Sequence, residues 1–409
     1  MAPRRFIVCF DGTWNAPDKG ANPTNVVKMV RAVLNEAAGV SQVTYYGKGV
    51  GTGNALDRVA GGASGEGLTE NMVDGYRFLA NNYSDDDEIY IFGFSRGAYT
   101  ARSLAGFIGL AGMISPLELG GGLARAIKLY RDTALTREQK LEALRGLART
   151  EDVPIRCVGV WDTVGSLGIP GDLGRRLLGS SFDFHDVQLS PKVEVALHAV
   201  AVDEKRSAFA PTLWVQPKDE PAPGGQVVEQ VWFPGAHSNV GGSYADAGLS
   251  DVALDWMVKR VSRLTGLGFD PDYLAQHVKP NALGKGVESR SALYKDSVLY
   301  PYQRLINQVI PKGEGFGEWF RSKFPALDRR NIPPEGLQTL NEKLHVACLE
   351  RWAEPVMHDC PEDKDGERGD YRPPNLAAVI RAQHEGRPVP VVGWDGEVLA
   401  ESAAPWPRL

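Results

Sequence analysis

The run from Gly93 to Gly97 has the spacing G-x-S-x-G, and it lies between an apolar run and a segment with small residues and helical patterning. On such a strand-to-helix turn, a serine hydroxyl is lifted above a sheet and acts as a nucleophile. The glycines are needed because the turn is strained and brings the helix close to neighbouring strands. Ser95 is therefore the candidate nucleophile. The alternative is a tight turn in which Ser95 only caps the helix.

A nucleophilic serine requires a base and an acid that orients the base. With this type of turn the chain order is serine, acid and then histidine, each at the end of a strand. Asp162 ends the apolar run Ile155–Trp161, and His237 follows the apolar run Val227–Phe233 in the loop PGAHSNVGG. Order and placement therefore predict a triad of Ser95, His237 and Asp162.

Two residues compete for these roles. Asp203 also follows an apolar run, although it could instead form an ion-pair cluster with Glu204 and Arg206 that holds a loop. His198 lies inside the run VEVALHAVAV, where a buried structural histidine is the competing interpretation. The remaining histidines lie in polar or charged surroundings and are expected at the surface: His185, His277, His345, His358 and His384.

The oxyanion of an acyl-transfer reaction must be met by preorganised N–H donors. One candidate is the backbone N–H of Arg96, the residue after the nucleophile. The second would come from the loop after the first strand, with Gly12 and Thr13 as donors, if that strand lies beside the serine strand. Aromatic residues of the same loops are predicted to line a substrate pocket: Trp14, Phe94, Trp161 and Trp232.

Two further motifs point to other chemistry, but each lacks a required feature. The start FIVCFDGTWN is similar to the phosphatase pattern D-x-D-G-T, yet Cys9 occupies the position of the nucleophilic aspartate. That hypothesis predicts metal dependence and indifference to Ser95→Ala. The run from Gly47 to Gly53 has alternating glycines rather than G-x-G-x-x-G, so it predicts a rim loop instead of a dinucleotide site.

The elements that position these residues are predicted by apolar runs that alternate with amphipathic segments. Strands are expected at Phe6–Phe10, Val43–Tyr46, Ile89–Phe94, Ile155–Val160, Val193–Val202 and Val227–Phe233. Helical faces are expected from Val26 to Leu34, from Leu68 to Leu79, and from Leu254 to Leu264 after Ser250 as N-cap. The alternation predicts an α/β protein of α/β-hydrolase type, with a mainly parallel sheet and helices on both faces.

The alternation stops near Gly266, and this change sets the expected domain organisation. Residues 1–269 are predicted to form the catalytic core. Residues 270–409 are rich in Pro, Lys, Arg and Trp, and they are predicted to be an extension that packs on the core or caps its rim.

Composition limits the partners. The chain has 45 Lys and Arg against 51 Asp and Glu, a net charge of −6, so nucleic acid is not an expected partner. Its four cysteines are scattered and suggest neither a disulfide framework nor a metal site. No apolar run reaches the roughly 18 residues of a membrane helix, and the N-terminal run resembles a strand rather than a signal peptide. We expect cytoplasmic synthesis, no transmembrane segment, and no metal or organic cofactor.

Five ordered motifs resemble those of the α/β-hydrolase family known as domain of unknown function 2235, which includes phospholipase effectors of type VI secretion systems. They are CFDGTWN, GFSRGAYTARSLAGFI, GVWDTVGS, HAVAVDEKRSAF and PGAHSNVGG, with a weaker match at YRPPNL. The resemblance implies that Ser95, Asp162 and His237 hold the triad positions, which favours Asp162 over Asp203. It also implies a lipid substrate, peripheral membrane contact, an immunity or secretion partner, and export by a specialised system.

Together these features predict a serine hydrolase that cleaves carboxylic esters, with acyl lipids or phospholipids as the first substrate class. A small-ester or polyester hydrolase without lipid preference is the alternative enzyme. A non-catalytic binding module on the same scaffold is the alternative of a different class, but it would be expected to lack one of the three catalytic side chains.

Overall fold

The structure, a computed structural model, describes residues 2–12, 22–49, 65–165, 189–220, 224–289, 302–311, 330–359 and 368–407. Its strands are β1 (Arg4–Phe10), β2 (Glu36–Ala37), β3 (Val40–Gly47), β4 (Glu88–Phe94), β5 (Met113–Ile114), β6 (Ala148–Thr150), β7 (Ile155–Trp161), β8 (Val193–Ala201), β9 (Val215–Pro217), β10 (Val227–Phe233), β11 (Gly286–Val287), β12 (Leu337–Thr339), β13 (Glu342–His345), β14 (Val356–Asp359), β15 (Arg368–Gly369) and β16 (Val391–Val392). Its α-helices are α1 (Asn25–Ala32), α2 (Gly65–Asn82), α3 (Arg96–Ala111), α4 (Gly121–Arg131), α5 (Arg137–Leu144), α6 (His237–Gly241), α7 (Gly248–Thr265), α8 (Pro271–His277), α9 (Ala347–Ala353) and α10 (Pro374–His384).

One large sheet organises the described part of the chain. Nine strands follow the order β16-β13-β10-β8-β7-β4-β1-β3-β2. All neighbours from β16 to β3 pair in parallel, and only the short edge strand β2 is antiparallel. Parallel strands place their carboxyl ends at one edge of the sheet, so the loops after β4, β7 and β10 can meet there. The predicted α/β-hydrolase-type fold is confirmed.

Alternate residues of the central strands face two separate hydrophobic cores. Val8 and Ile91 pack with side chains of helices α2 and α3 on one face of the sheet. Their neighbours Ile7 and Phe92 pack with helices α1 and α7 on the other face. The central strands are therefore buried on both sides, which explains why their sequences are nearly continuous apolar runs.

The C-terminal extension adds two strands to the sheet. Strand β13 pairs with β10, and β16 pairs with β13. Side chains of the extension such as Leu344 and Val379 form a third core with Trp232 of β10. These strands are only 4 and 2 residues long, so their apolar patterns are too brief to predict strands from the sequence. The boundary between residues 269 and 270 stays a prediction.

Two local predictions are wrong. Helix α7 begins at Gly248, and Ser250 lies in its first turn with Oγ donating to the Ala247 carbonyl rather than capping the helix. His345 is 1% exposed and stacks on Phe233, because strand β13 carries it into the sheet. Burial lowers the pKa of His345 to about 3.

The other surface histidines and the membrane prediction have simpler outcomes. His277 and His384 are exposed, as expected, whereas His185 and the side chain of His358 lie outside the described residues. Most of the glycine-rich run after Gly47 lies outside them too. Among the helices that the structure describes, none has the length and apolar character needed to cross a bilayer.

Candidate active site

Ser95 occupies a strained turn between strand β4 and helix α3. Its backbone has φ 59° and ψ −123°, a conformation that residues with a side chain rarely adopt. A Cβ atom on Gly93 would lie 2.3 Å from the Gly97 carbonyl oxygen, and one on Gly97 would lie 2.3 Å from the Phe10 carbonyl oxygen. Both glycines of G-x-S-x-G are thus required by close backbone approach. The Ser95 hydroxyl makes no capping bond to the helix, so the capping alternative is wrong.

The three side chains predicted as a triad are joined by hydrogen bonds. Ser95 Oγ lies 2.8 Å from His237 Nε2, and His237 Nδ1 lies 2.6 Å from Asp162 Oδ2. All three side chains are buried. Because an ionised carboxylate only accepts hydrogen bonds, Nδ1 carries the proton and Nε2 is left to accept from the serine hydroxyl. The strands that carry them, β4, β7 and β10, end at the same edge of the sheet.

Asp162 is held as a carboxylate by several donors. Its Oδ1 accepts from the Ala201 backbone N–H at 2.9 Å and from Arg304 Nη1 at 2.6 Å. Its Oδ2 accepts from Arg304 Nη2 at 3.0 Å as well as from His237. Burial raises the pKa of Asp162, but Arg304 and His237 outweigh burial and hold that pKa well below its ordinary value. Asp162 is therefore ionised throughout the neutral pH range.

Arg304 is the site residue that the sequence did not reveal. It lies in the C-terminal extension, in residues 302–311, where no periodic pattern or motif marks it. Its side chain and that of Asp162 are both 0% exposed. A residue so distant in sequence can be identified only from the three-dimensional structure, which shows that its guanidinium contacts Asp162.

The rival acid Asp203 anchors the loop that carries His237. Its carboxylate accepts from the backbone N–H of Gly235 at 2.6 Å and from the hydroxyl of Tyr371 at 2.8 Å. Gly235 has φ 103°, and a Cβ there would lie 2.4 Å from the Asn239 Cβ. Burial raises the pKa of Asp203. Tyr371 belongs to the motif YRPPNL, which thereby contacts the site region.

Glu204 and Arg206 form an ion pair, as the alternative prediction for this segment required, but Asp203 is not part of it. Arg206 Nε and Nη2 each donate to a different Glu204 oxygen at 2.8 Å. Burial raises the pKa of Glu204, but the charge and hydrogen bonds of Arg206 outweigh burial and keep this pKa below its ordinary value. The carboxylate also accepts from the His237 backbone N–H at 3.3 Å. The pair therefore supports the start of helix α6.

His198 is a buried structural histidine, not a partner of Ser95. Its Nε2 accepts from the Thr163 backbone N–H at 3.1 Å, and its Nδ1 lies 3.3 Å from Gln230 Oε1. Burial, with Arg102 nearby, lowers the pKa of His198 to about 3. A neutral ring that accepts through Nε2 supports the backbone directly after Asp162.

The predicted oxyanion donors lie near the serine turn. Strand β1 pairs directly with β4, which is the arrangement the prediction required. Arg96 is the first residue of helix α3, so its N–H lies at the helix end beside Ser95. The Gly12 N–H donates to Asp11 Oδ1 at 2.7 Å, so it is engaged within its own loop. Thr13 lies outside the described residues, and the donor set stays a prediction.

Asp11 holds the start of that loop. Its Oδ2 accepts from the Tyr46 hydroxyl at 2.6 Å and from Thr24 Oγ1 at 3.0 Å. Burial raises the pKa of Asp11. These contacts tie the loop after β1 to strand β3 and to the start of helix α1.

The aromatic residues predicted to line a pocket occupy different environments. The rings of Phe94 and Phe209 lie on the imidazole of His237, with centroids 4.7 and 4.8 Å from it. Trp161 and Trp232 are 0% exposed, each within a hydrophobic core. Trp14 lies outside the described residues. Among the predicted lining residues that the structure describes, Phe94 places its ring against the His237 imidazole, whereas Trp161 contacts the triad through its backbone carbonyl, which accepts from the Ser95 N–H at 3.0 Å.

The described residues offer no alternative centre for metal chemistry. No group of three or more His, Cys, Asp or Glu side chains in the described ranges is arranged to hold a metal ion. Cys9, at the position of a phosphatase nucleophile, is fully buried in strand β1, and burial raises the pKa of its thiol. Its thiol therefore lies in the core and not on the loop that follows β1.

Comparison with known sequences connects this site to a described family. The family model "T6SS, Phospholipase effector Tle1-like, catalytic domain" matches residues 4–260. An uncharacterized protein of Saccharomyces cerevisiae is 30% identical over 234 residues, which cover 50% of this chain and 32% of that protein. The chain thus matches about a third of the length of this curated relative.

Three solved structures are similar at low sequence identity. A crystal structure of an uncharacterized protein from Pseudomonas aeruginosa has a TM-score of 0.42 and 17% identity, covering 69% of this chain and 49% of its own. The Tle1 effector bound to the VgrG spike of the type 6 secretion system has a TM-score of 0.34 and 19% identity, covering 60% and 52%. The esterase Est2 of Thermogutta terrifontis has a TM-score of 0.33 and 14% identity, covering 65% and 83%.

Proposed function

The chain belongs to the family of Tle1-like catalytic domains of type VI secretion phospholipase effectors, and from this premise we propose that it hydrolyses carboxylic esters through Ser95. The observation that carries the proposal is the relay in which Ser95 Oγ, the His237 ring and Asp162 are joined at 2.8 and 2.6 Å. A serine on a strained turn with a base in hydrogen-bond reach is what acyl transfer needs.

Acylation begins when His237 Nε2 takes the Ser95 proton while Oγ attacks the ester carbonyl. Asp162 holds the ring in the tautomer with a proton on Nδ1 and stabilises the imidazolium that forms. The carbonyl oxygen becomes an oxyanion, for which we assign the backbone N–H of Arg96 as one donor. His237 then protonates the leaving alcohol, and the acyl group stays on Ser95.

Deacylation repeats these steps with water as the nucleophile. His237 removes a proton from water, the hydroxide attacks the acyl carbonyl, and the proton returns to Ser95 as the carboxylic acid leaves. Each step uses groups of this chain alone. Phe94 and Phe209 pack on the imidazole and so keep its Nε2 directed at the serine.

We assign acyl lipids, and phospholipids among them, as the substrate class. Family membership supports this class, because the matched model is named for phospholipase effectors. A lipid substrate entails contact with a membrane surface during turnover. A secretion or immunity partner and export by a specialised system are proposed on the same ground.

The test compares acyl release by purified wild-type, Ser95→Ala and Ser115→Ala chains. Ser115 is a matched control because it also precedes a helical turn without a side-chain cap. The substrates are a short-chain soluble ester and phosphatidylethanolamine–phosphatidylglycerol vesicles. Ser95→Ala should lower kcat by about 10³-fold or more, as expected when a triad nucleophile is removed, while Ser115→Ala keeps the wild-type rate.

The substrates separate the chemistry from the substrate class. Serine-dependent release that is faster on vesicles supports the lipid assignment. Release restricted to the short ester would leave the serine mechanism standing and remove the lipid class. Equal activity of wild type and Ser95→Ala would overturn the proposed nucleophile. No release from either substrate by any chain would favour a binding module.

A further inference from the structure

The guanidinium of Arg304 is enclosed by acceptors that use all its terminal N–H groups. Nη1 donates to Asp162 Oδ1 at 2.6 Å and to the Ala201 carbonyl at 2.7 Å. Nη2 donates to Asp162 Oδ2 at 3.0 Å and to the Phe209 carbonyl at 2.7 Å. Each terminal nitrogen carries two N–H groups, so both are fully used. The planar guanidinium therefore donates two hydrogen bonds to the Asp162 carboxylate. Its other two hydrogen bonds, to backbone carbonyls, fix its own position.

We propose that Arg304, a residue of the C-terminal extension, is a positioning residue that keeps Asp162 ionised and correctly oriented for His237. The inference rests on the proposed serine mechanism. It extends that mechanism by one residue, and it gives the segment at residues 302–311 a role in it. Arg304 acts through Asp162 and is not assigned a contact with substrate.

Orientation follows from how the carboxylate oxygens are shared. Oδ1 accepts from Ala201 N–H and Arg304 Nη1, while Oδ2 accepts from Arg304 Nη2 and His237 Nδ1. Two bonds from a rigid fork prevent the carboxylate from rotating. Oδ2 therefore directs its remaining lone pair at His237 Nδ1. This hydrogen bond fixes the ring so that Nε2 faces the Ser95 hydroxyl.

Charge is the second effect of Arg304. A carboxylate that is 0% exposed needs a close cation, because burial alone favours its protonated form. A protonated Asp162 would no longer stabilise an imidazolium. Removing the Arg304 charge should therefore let the coupled Asp162–His237 pair take up a proton at higher pH, which ends activity earlier as the pH falls.

The other charged groups around the pair do not replace Arg304. Glu204 faces both His237 and Arg304, but Arg206 neutralises it through two bonds. His198 lies next to the acid through Thr163, and burial lowers its pKa to about 3, so it is neutral at working pH. Arg102, which lowers that pKa further, donates to the Thr212 carbonyl instead. Among the described residues, the side chains that bond to Asp162 as cations are Arg304 and, when it is protonated, His237.

The experiment uses full-length chains with Arg304→Met, Arg304→Lys and, as control, Arg260→Met. Arg260 is also a buried arginine that makes two hydrogen bonds to one carboxylate, because its Nε and Nη2 donate to Glu229 at 3.0 and 2.9 Å. It lies in helix α7, which carries none of the triad residues. The first readout is the rate at which a fluorophosphonate reagent labels Ser95 as a function of pH. In that reaction Oγ bonds phosphorus, fluoride leaves, and His237 takes the hydroxyl proton.

Arg304→Met should move the acidic limb of the labelling profile up by about 1 to 3 pH units, the range expected when an opposite charge is removed. Arg304→Lys should keep the limb within about one pH unit, because the charge remains. Its plateau rate should fall about tenfold, because lysine lacks the two-pronged fork. Arg260→Met should leave the limb unchanged.

Specific results overturn the inference. One is a folded Arg304→Met chain with the wild-type limb, and another is an Arg260→Met chain whose limb moves equally. If Arg304→Met does not fold, Arg304→Lys decides, because a wild-type plateau rate in that variant would show that the fork is dispensable.

A second readout separates this inference from the proposed function. The proton on His237 Nδ1, hydrogen-bonded to Asp162, gives a downfield NMR resonance that needs no substrate or reagent. If wild-type Ser95 is not labelled at all, the serine mechanism fails, and the resonance still reports on Arg304. The resonance changes its chemical shift when the Asp162–His237 pair gains a proton. The pH of that change should rise in Arg304→Met, and an unchanged pH would refute the role of Arg304.

Discussion

Asp162 and Asp203 follow neighbouring strands of one sheet, β7 and β8, but Asp162 is fully buried and Asp203 is half-buried, and the two carboxylates meet different partners. Asp162 faces a guanidinium and an imidazole. Asp203 faces a phenol and a backbone N–H. The pKa of Asp162 is lowered and that of Asp203 is raised, although burial acts in the same direction on both. The comparison teaches that the partners of a carboxylate, and not burial alone, determine the direction in which its pKa is shifted.

The two acids therefore support the same histidine in different ways. Asp162 contacts the His237 ring and can respond to its charge. Asp203 holds the Gly235 N–H, two residues before the histidine, and so sets the path of the loop. One role is electrostatic and the other is structural, and substitutions should separate them.

The largest effect is expected at the electrostatic acid. Asp162→Asn should lower kcat by about 10³- to 10⁴-fold, because an amide no longer stabilises the imidazolium or fixes the correct tautomer. Asp203→Asn should lower kcat by less than about tenfold, since its amide oxygen can still accept one of the two bonds. Acyl release by both variants would be compared under saturating substrate. The reverse ranking would make Asp203 the catalytic acid.

Removing a donor from Asp203 tests the structural role. Tyr371→Phe should lower the free energy of unfolding by about 1 to 3 kcal/mol, because the half-buried Asp203 carboxylate loses a hydrogen-bond donor. Turnover should change by less than about fivefold, because the Asp162 relay stays intact. Tyr76→Phe is a matched control, since its hydroxyl bonds the Gly112 carbonyl far from the histidine loop. Urea unfolding measures the stability of both variants, and acyl release measures their turnover. A thousandfold loss of activity in Tyr371→Phe alone would contradict a purely structural role for Asp203.

Stability should depend on pH in opposite ways for the two acids. The pKa of Asp162 is lowered from 3.8, so its contribution is present above about pH 4 and is lost as the pH falls. The pKa of Asp203 is raised from 3.8, so the folded state is penalised as the pH rises above about 4.

The measurement is the urea midpoint of each asparagine variant between pH 3 and pH 7. The deficit of Asp162→Asn relative to wild type should grow with pH from about 3 to 5, whereas that of Asp203→Asn should shrink above about 4. Each unit of pKa difference corresponds to about 1.4 kcal/mol. Parallel curves for the two variants would mean that their protonation does not differ as inferred.

The smallest effect is expected at the second buried histidine of the region. His198→Gln should change the Ser95 labelling rate by less than about fivefold, because glutamine can also accept from the Thr163 N–H. His237→Gln should lower that rate by about 10³-fold, since it removes the base. If His198→Gln were as damaging as His237→Gln, the assignment of the base would need revision.

The serine turn and the order of the triad residues could be predicted from the sequence because their determinants are local. Gly93 and Gly97 are required within a few residues of Ser95. Ser95 and Asp162 directly follow apolar runs that form parallel strands, and His237 comes four residues after the end of another. Parallel strands place such ends together whatever the loops between them contain. The core strands and the α/β class follow from the same pattern.

Other features were beyond local patterns. Strands β13 and β16 are too short to show periodicity, and burial of His345 depends on their addition to the sheet. Phe94 and Trp161 belong to the same hydrophobic core, and the aromatic pattern could not show that the Phe94 ring also packs on His237. Both are aromatic residues at the ends of paired parallel strands, so their positions in the sequence are equivalent.

The amino-acid sequence by itself determined the α/β class, the strained serine turn, and which strand ends carry Ser95, Asp162 and His237, since each follows from a pattern within a short stretch of the chain. Only the tertiary structure decided that Asp162 rather than Asp203 is paired with a cation. Arg304 reaches that acid from the C-terminal extension, 142 residues away in sequence. Electrostatic pairing depends on distance in space and on exclusion of water, and neither can be read from sequence separation.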